Sequence, residues 1–291
     1  MSEIQGNKEL SALINLLDEP DNSAFGAIRE KIFSFGKEVI PSLEKAWENS
    51  FNNLVQERIE DIIKKIQLSN LEAEFTNWLQ LGSSDLLKGF ILISKTQYPD
   101  LDEEALIISV EQMRMDIWLE LNDNMTALEN VKVLNHIFFG VQHFDGNKIN
   151  PNAPQNYYIN TLLETRKGTP LTLGMLYIIL AQKLKIPVYG VNLPQHFILA
   201  YLSEMDIDAP TENDVLFYIN PFNKGAVFTK REIELFIRQL KIQADMSYFE
   251  PCSNIEIIKR LITNLMFSYN QLGYPDKIAD LEFLLKIIEP I

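Results

Sequence analysis

Few side chains in this 291-residue sequence are equipped to do chemistry. There is one thiol, Cys252, three histidines, His136, His143 and His196, and a hydroxyl pair, Thr169 and Thr172, flanking Pro170. His196 follows Pro194-Gln195 and lies between two apolar strand-like runs. An imidazole held at a strand end can take up and return a proton, or activate water against an amide. Thr172 falls in the first turn of the apolar helix that opens at Pro170. Its hydroxyl could attack an acyl group, although in that position it more often bonds the local backbone. Asn220, in Tyr218-Ile219-Asn220-Pro221-Phe222, offers an amide that could fix an imidazole tautomer, and it reads equally as the end of a strand. Cys252 precedes a helix, which lowers a thiol's pKa, yet it sits among turn residues far along the chain and reads as an ordinary, partly buried thiol. His136 and His143 read as helix-face and loop residues. The histidines show no metal-ligand spacing, and Asp206 and Asp208 lack the glycine and closing glutamate of a calcium loop. No metal or cofactor is expected.

The elements that must position these residues alternate in type. Leu10, Leu13, Ile14, Leu16 and Leu17, then Phe25, Ile28, Ile32 and Phe35, recur at helical spacing. Between them Glu19-Pro20-Asp21-Asn22 breaks the pattern and supplies a cap at Asp21 or Asn22. Pro41 suits the first turn of a third helix, and a fourth is expected from Leu54 to Ile66. Helical periodicity continues over 70–81, 85–97, 103–121 and 127–140. An irregular stretch with Asp145-Gly146-Asn147 and Pro151-Asn152-Ala153-Pro154 follows. Residues 156–184 read as two helices separated by Lys167-Gly168-Thr169-Pro170. Strand-like runs come next, Val188 to Leu193, Phe197 to Leu202, Val215 to Ile219 and Ala226 to Phe228, with an acidic exposed loop before the third. Thr229 to Glu232 and Ser253 to Glu256 are capping boxes. The last helices form a hairpin turned at Gly273-Tyr274-Pro275.

Composition narrows the functional classes. A net charge of −14 opposes non-specific binding to nucleic acid and to anionic lipid. One cysteine excludes an intramolecular disulfide and a multi-cysteine zinc site. The longest apolar segment, Leu171 to Ala181, is too short to span a bilayer, and the first ten residues lack the pattern of a signal peptide. A cytoplasmic protein is expected.

The stretch from 164 to 200, a turn, an apolar helix, a strand and a lone histidine, resembles the core of the transglutaminase and cysteine-protease superfamily. That resemblance implies a Cys–His–Asp order, with the cysteine opening the buried helix. Gly168-Thr169-Pro170 then puts Pro170 at the nucleophile position, His196 at the histidine and Asn220 at the aspartate. Asn156 to Ile159, Arg166 to Pro170, Pro194 to Phe197, Asn220-Pro221-Phe222 and Arg260 to Leu265 look like the SirB-type branch of bacterial proteins, in which proline at this position is usual and asparagine in place of aspartate is a departure. Arg166 is expected to bridge Glu164 or to cap the helix before it.

The expected fold is α+β and mostly helical: a buried helix on a small antiparallel sheet. HEAT-like helices are expected over 1–69, the transglutaminase-like domain with its leading helices over 70–250, and a tetratricopeptide-like helix pair over 251–291. With proline in place of the nucleophile, the resemblance implies a non-catalytic protein that binds a protein or peptide partner. The alternative is a hydrolase or acyltransferase built on His196 with Thr172 or water.

Overall fold

The computed structural model of the chain describes residues 2–205, 207 and 209–289. It divides into two compact units, Met1–Thr76 and Asn77–Ile291.

The first unit contains α1 (Ser2–Asn15), α2 (Asn22–Phe33), α3 (Ile40–Asn49) and most of α4 (Asn53–Gln80). Asp21 caps α2, its carboxylate accepting from Ser23 N at 2.7 Å and Ala24 N at 3.2 Å. Pro41 stands in the first turn of α3, where its missing N–H costs nothing. Leu10, Ile32, Leu43, Ile59 and Ile62, from these four helices, are buried together with Leu17 of the turn after α1. The expected break between 66 and 70 is absent and α4 runs through it. Gln67-Leu68-Ser69-Asn70 dilutes the apolar stripe but contains no glycine or proline to end a helix.

The second unit is helical around one small sheet. Leading helices α5 (Leu86–Lys95), α6 (Glu103–Trp118) and α7 (Ala127–Asn135) precede a π-helical turn, His136–Val141. Then come β1 (Asp145–Gly146), α8 (Ile159–Thr165), β2 (Lys167–Gly168) and α9 (Pro170–Lys183). The sheet follows as β3 (Val188–Val191), β4 (Ile198–Leu202), β5 (Val215–Asn220) and β6 (Ala226–Phe228), paired antiparallel in that order. Helices α10 (Lys230–Leu240), α11 (Asn254–Leu272) and α12 (Pro275–Ile288) complete it. Both predicted capping boxes form, at Thr229 with Glu232 and at Ser253 with Glu256. The architecture is the expected α+β one, with a buried helix against an antiparallel sheet.

Every residue of α9 from Leu171 to Ala181 is buried, so this helix is the hydrophobic centre of the unit. It lies on one face of the sheet. There Gly174 and Gly190 admit the Phe197 ring so closely that a Cβ would fall 2.8 Å and 2.5 Å from it. The other face packs on α10, through Ile198, Ala200, Leu202, Tyr218, Ile233 and Ile237. Strand β4 is therefore buried on both sides, its odd residues toward α9 and its even residues toward α10.

Candidate functional site

The head of α9 is built by reciprocal hydrogen bonds. Thr169 is the N-cap and accepts from Thr172 N at 3.2 Å, while Thr172 Oγ1 accepts from Thr169 N at 3.0 Å. Pro170 takes the first helical position. Thr172 Oγ1 also donates to the Asn156 carbonyl at 3.0 Å and is fully buried. Its hydroxyl is committed to the backbone. Asn156, itself buried, donates to the carbonyls of Asn150 (2.7 Å) and Pro151 (3.2 Å) and accepts from Asn147 Nδ2 (2.8 Å). The turn before Pro170 is tied to β1 by Asn147 N donating to Gly168 O at 2.9 Å and by the Lys167–Asp145 ion pair. Phe222 lies flat enough on Gly146 that a Cβ there would meet its ring at 2.2 Å.

Arg166 caps α8 in the left-handed region, with φ of 58°. Its guanidinium sits 4.8 Å over the Phe144 ring. The alternative expected for it, a bridge to Glu164, does not form.

The segment before β4 makes a β-turn of type II form: His196 N donates to Leu193 O at 3.0 Å, Pro194 leads, and Gln195 has φ of 61°. Arg260, on α11, clamps this turn. Its Nη2 donates to the carbonyls of Leu193 (3.1 Å) and His196 (2.7 Å), and its Nη1 to Asn192 Oδ1 (3.2 Å). Gln195 and Phe197 thereby line a cavity with Pro170, and His196 between them does not. The imidazole is exposed and packs edge-to-face on Phe236 of α10, with ring centroids 4.8 Å apart. It makes no hydrogen bond among the described residues. Partial desolvation, with the Arg260 charge adding to it, lowers its pKa from the ordinary value. Sequence reasoning grouped His196 with Pro170 and Thr172. The alternation along β4 instead turns it toward the α10 face, away from α9.

Asn220 ends β5 and caps the turn after it, Oδ1 accepting from Phe222 N at 3.0 Å and Asn223 N at 3.1 Å. An aspartate would accept the same two bonds, so the asparagine keeps the local fold while removing a charge. It does not bond His196.

The cavity measures about 360 Å³. Tyr157, Phe197, Phe222 and Phe267 give it aromatic walls, Pro170 and Leu171 bring the helix head, and Gln195, Arg260 and Asn264 supply polar groups. Among the described residues, no cysteine, histidine or carboxylate lines it. Arg260, Asn264 and Phe267 were not singled out as site residues from sequence. Their spacing of four and three along α11 puts them on one helix face, and an arginine bordering the buried Ile257 and Leu261 was the available signal. Cys252 lies elsewhere, Cys252 N donating to Gly190 O at 2.8 Å. Burial pushes its thiol up to about 12, which disfavours the reactive thiolate. His136 caps the end of α7 and His143 stands in a loop at φ of 59°. No group able to hold a metal occurs among the described residues, and Asp206 and Asp208 lie outside them. No helix among the described residues is long and apolar enough to cross a membrane.

A buried helix leading into an antiparallel sheet, with a cleft at the helix head, defines the transglutaminase-like class of α+β protein. The model of the transglutaminase-like superfamily matches residues 104–263, and the chain belongs to that superfamily. A UPF0162 protein of Xylella fastidiosa (strain 9a5c) is 25% identical over 213 residues, covering 69% of this chain and 73% of the relative. The UPF0162 protein PA3419 of Pseudomonas aeruginosa is 25% identical over 206 residues, 70% of this chain and 71% of that one. F-box only protein 21 of Pongo abelii is 26% identical over 204 residues, 70% of this chain but 30% of its own length. No solved structure matches.

Proposed function

We propose that this chain is a non-catalytic transglutaminase-like protein, of the SirB-type branch, that binds a protein or peptide partner in a regulatory role. The observation that carries the reading is the composition of the cleft at the head of α9. Where a thiol enzyme needs a nucleophile and a base, the walls are Pro170, Phe197 and Phe222, and among the described residues no cysteine or histidine faces in. Of the two hydroxyls beside Pro170, Thr172 is buried and bonded at both its donor and acceptor sides, and Thr169, which does line the cavity, accepts from Thr172 N and shares a bond with Thr172 Oγ1. A nucleophile needs a base in hydrogen-bond reach, and among the described residues neither hydroxyl has a histidine or carboxylate as partner. Aromatic walls with a few polar groups suit recognition of a ligand, and the net charge of −14 favours a protein over a nucleic acid as partner.

The test is hydrolysis and acyl transfer from ester and glutamine-amide donors, with wild type, His196→Ala and Thr172→Val assayed side by side. Equal, blank-level rates in all three are expected. Turnover by wild type that vanishes in His196→Ala would overturn the proposal and install the His196 enzyme in its place.

A further inference from the structure

We infer that the cavity beside α9 binds a carboxylate carried on an apolar group, with Arg260 as its counter-ion; this rests on reading the cavity as a peptide site, and makes a peptide's terminal carboxylate the natural ligand. The chain is strongly acidic overall, at −14, yet among the described residues its cavity walls contain no aspartate or glutamate and a single charged residue, Arg260.

The bonds of that arginine leave its charge unanswered. Its three acceptors, Asn192 Oδ1 and the carbonyls of Leu193 and His196, are all neutral. A guanidinium has five N–H donors, so three bonds leave two to spare. Among the described residues no carboxylate lies within ion-pair distance of it. A half-buried cation without a counter-ion is costly to hold, and burial does lower the Arg260 pKa. Three carboxamides that make no hydrogen bond among the described residues accompany it: Asn264, one turn along α11, Gln195 at the left-handed position of the clamped turn, and Asn152. Each can donate to an anion. The rings of Tyr157, Phe197, Phe222 and Phe267 would cover an apolar side chain attached to it. A volume of about 360 Å³ lies at the small end of the range for ligand pockets. Charge-assisted bonds from arginine to carboxylate are among the strongest available to such a site.

The test is calorimetric titration of the full chain with N-acetylated pentapeptides ending in Phe, Leu or Ala, each as free acid and as amide and none containing Asp or Glu. N-acetylphenylalanine is titrated alongside. The expected result is binding of the acids, at least tenfold weaker binding of the amides, and loss of acid binding in Asn264→Asp. That variant places a carboxylate one turn from Arg260, where it pairs the guanidinium and repels the ligand while the clamp on the turn stays intact. Arg260→Gln should lose binding as well, and is interpreted only if its melt matches that of Asn264→Asp. If N-acetylphenylalanine binds as tightly as the pentapeptide acids, the carboxylate site stands and the peptide reading falls. If acids and amides bind equally, the carboxylate inference is overturned and the peptide reading stands. Absence of binding by every acid at millimolar concentration also overturns the inference.

Discussion

Replacing Arg260 by methionine tests how the turn before β4 is held. The variant keeps most of the stem and deletes the charged donors, together with the guanidinium that lies 5.6 Å from the Phe197 ring centroid. Three hydrogen bonds go, at 3.2, 3.1 and 2.7 Å. Each bond from a charged donor contributes about 1.5–3 kcal/mol net, but the losses do not simply add. Leu193 O keeps its bond from His196 N at 3.0 Å, and water can reach the side of the turn where His196 is exposed. Removing the guanidinium also relieves its own desolvation. The net expectation is the worth of one such bond, about 2 kcal/mol. For a unit of this size that corresponds to a fall in Tm of roughly 4–8 °C. Circular-dichroism melts measure it globally. Hydrogen exchange measures it locally: amides of 192–198 should exchange faster while those of α9 do not change. A melt within about 1 °C of wild type, together with unchanged exchange in 192–198, would refute the clamp.

Other perturbations have equally definite outcomes. Thr172→Val keeps the shape but orphans Thr169 N–H and the Asn156 carbonyl, so a loss of roughly 2–4 kcal/mol is expected in chemical denaturation; a neutral result would mean the hydroxyl is not committed as described. With its thiol pushed up to about 12, Cys252 should resist a disulfide reagent at pH 8 in the native protein and react fully in denaturant. Fast native labelling would contradict its burial. The lowered pKa of His196 means that the unfolded chain takes up a proton the fold resists. Stability therefore falls as pH drops through about 6.5 and levels off below the folded-state value. His196→Gln should remove that part of the slope in melts between pH 7.5 and 5; an unchanged slope would assign it to other groups.

The sequence displays much of this fold because local signals and tertiary packing agree. The run from Leu171 to Ala181 is apolar on every side, which identifies a helix buried all round, and Thr229-Glu232 and Ser253-Glu256 state their caps outright. Gln67 to Asn70 misled because polarity alone does not stop a helix. The position of the histidine was the least legible part of the site. Both faces of β4 are apolar, Phe197, Leu199 and Tyr201 on one side and Ile198, Ala200 and Leu202 on the other, so alternation cannot say which face receives α9. Two glycines decide it, Gly174 and Gly190, whose missing side chains admit Phe197 on the α9 side. His196 is then directed to α10 by parity. Arg260 was visible only as part of a resembling stretch, since two of its three partners are backbone carbonyls, 67 and 64 residues away, and carbonyls leave no mark in a sequence.

The central claim is that the imidazole of His196 does not serve the head of α9. Pro170→Cys restores a thiol at that head, and the pH dependence of its alkylation by iodoacetamide reports what the thiolate feels. The helix and Arg260 set its midpoint, whatever the value. The account predicts the same midpoint in Pro170→Cys and in Pro170→Cys with His196→Ala. A midpoint that rises by about one unit or more when His196 is removed would place the histidine beside the thiol and contradict the account.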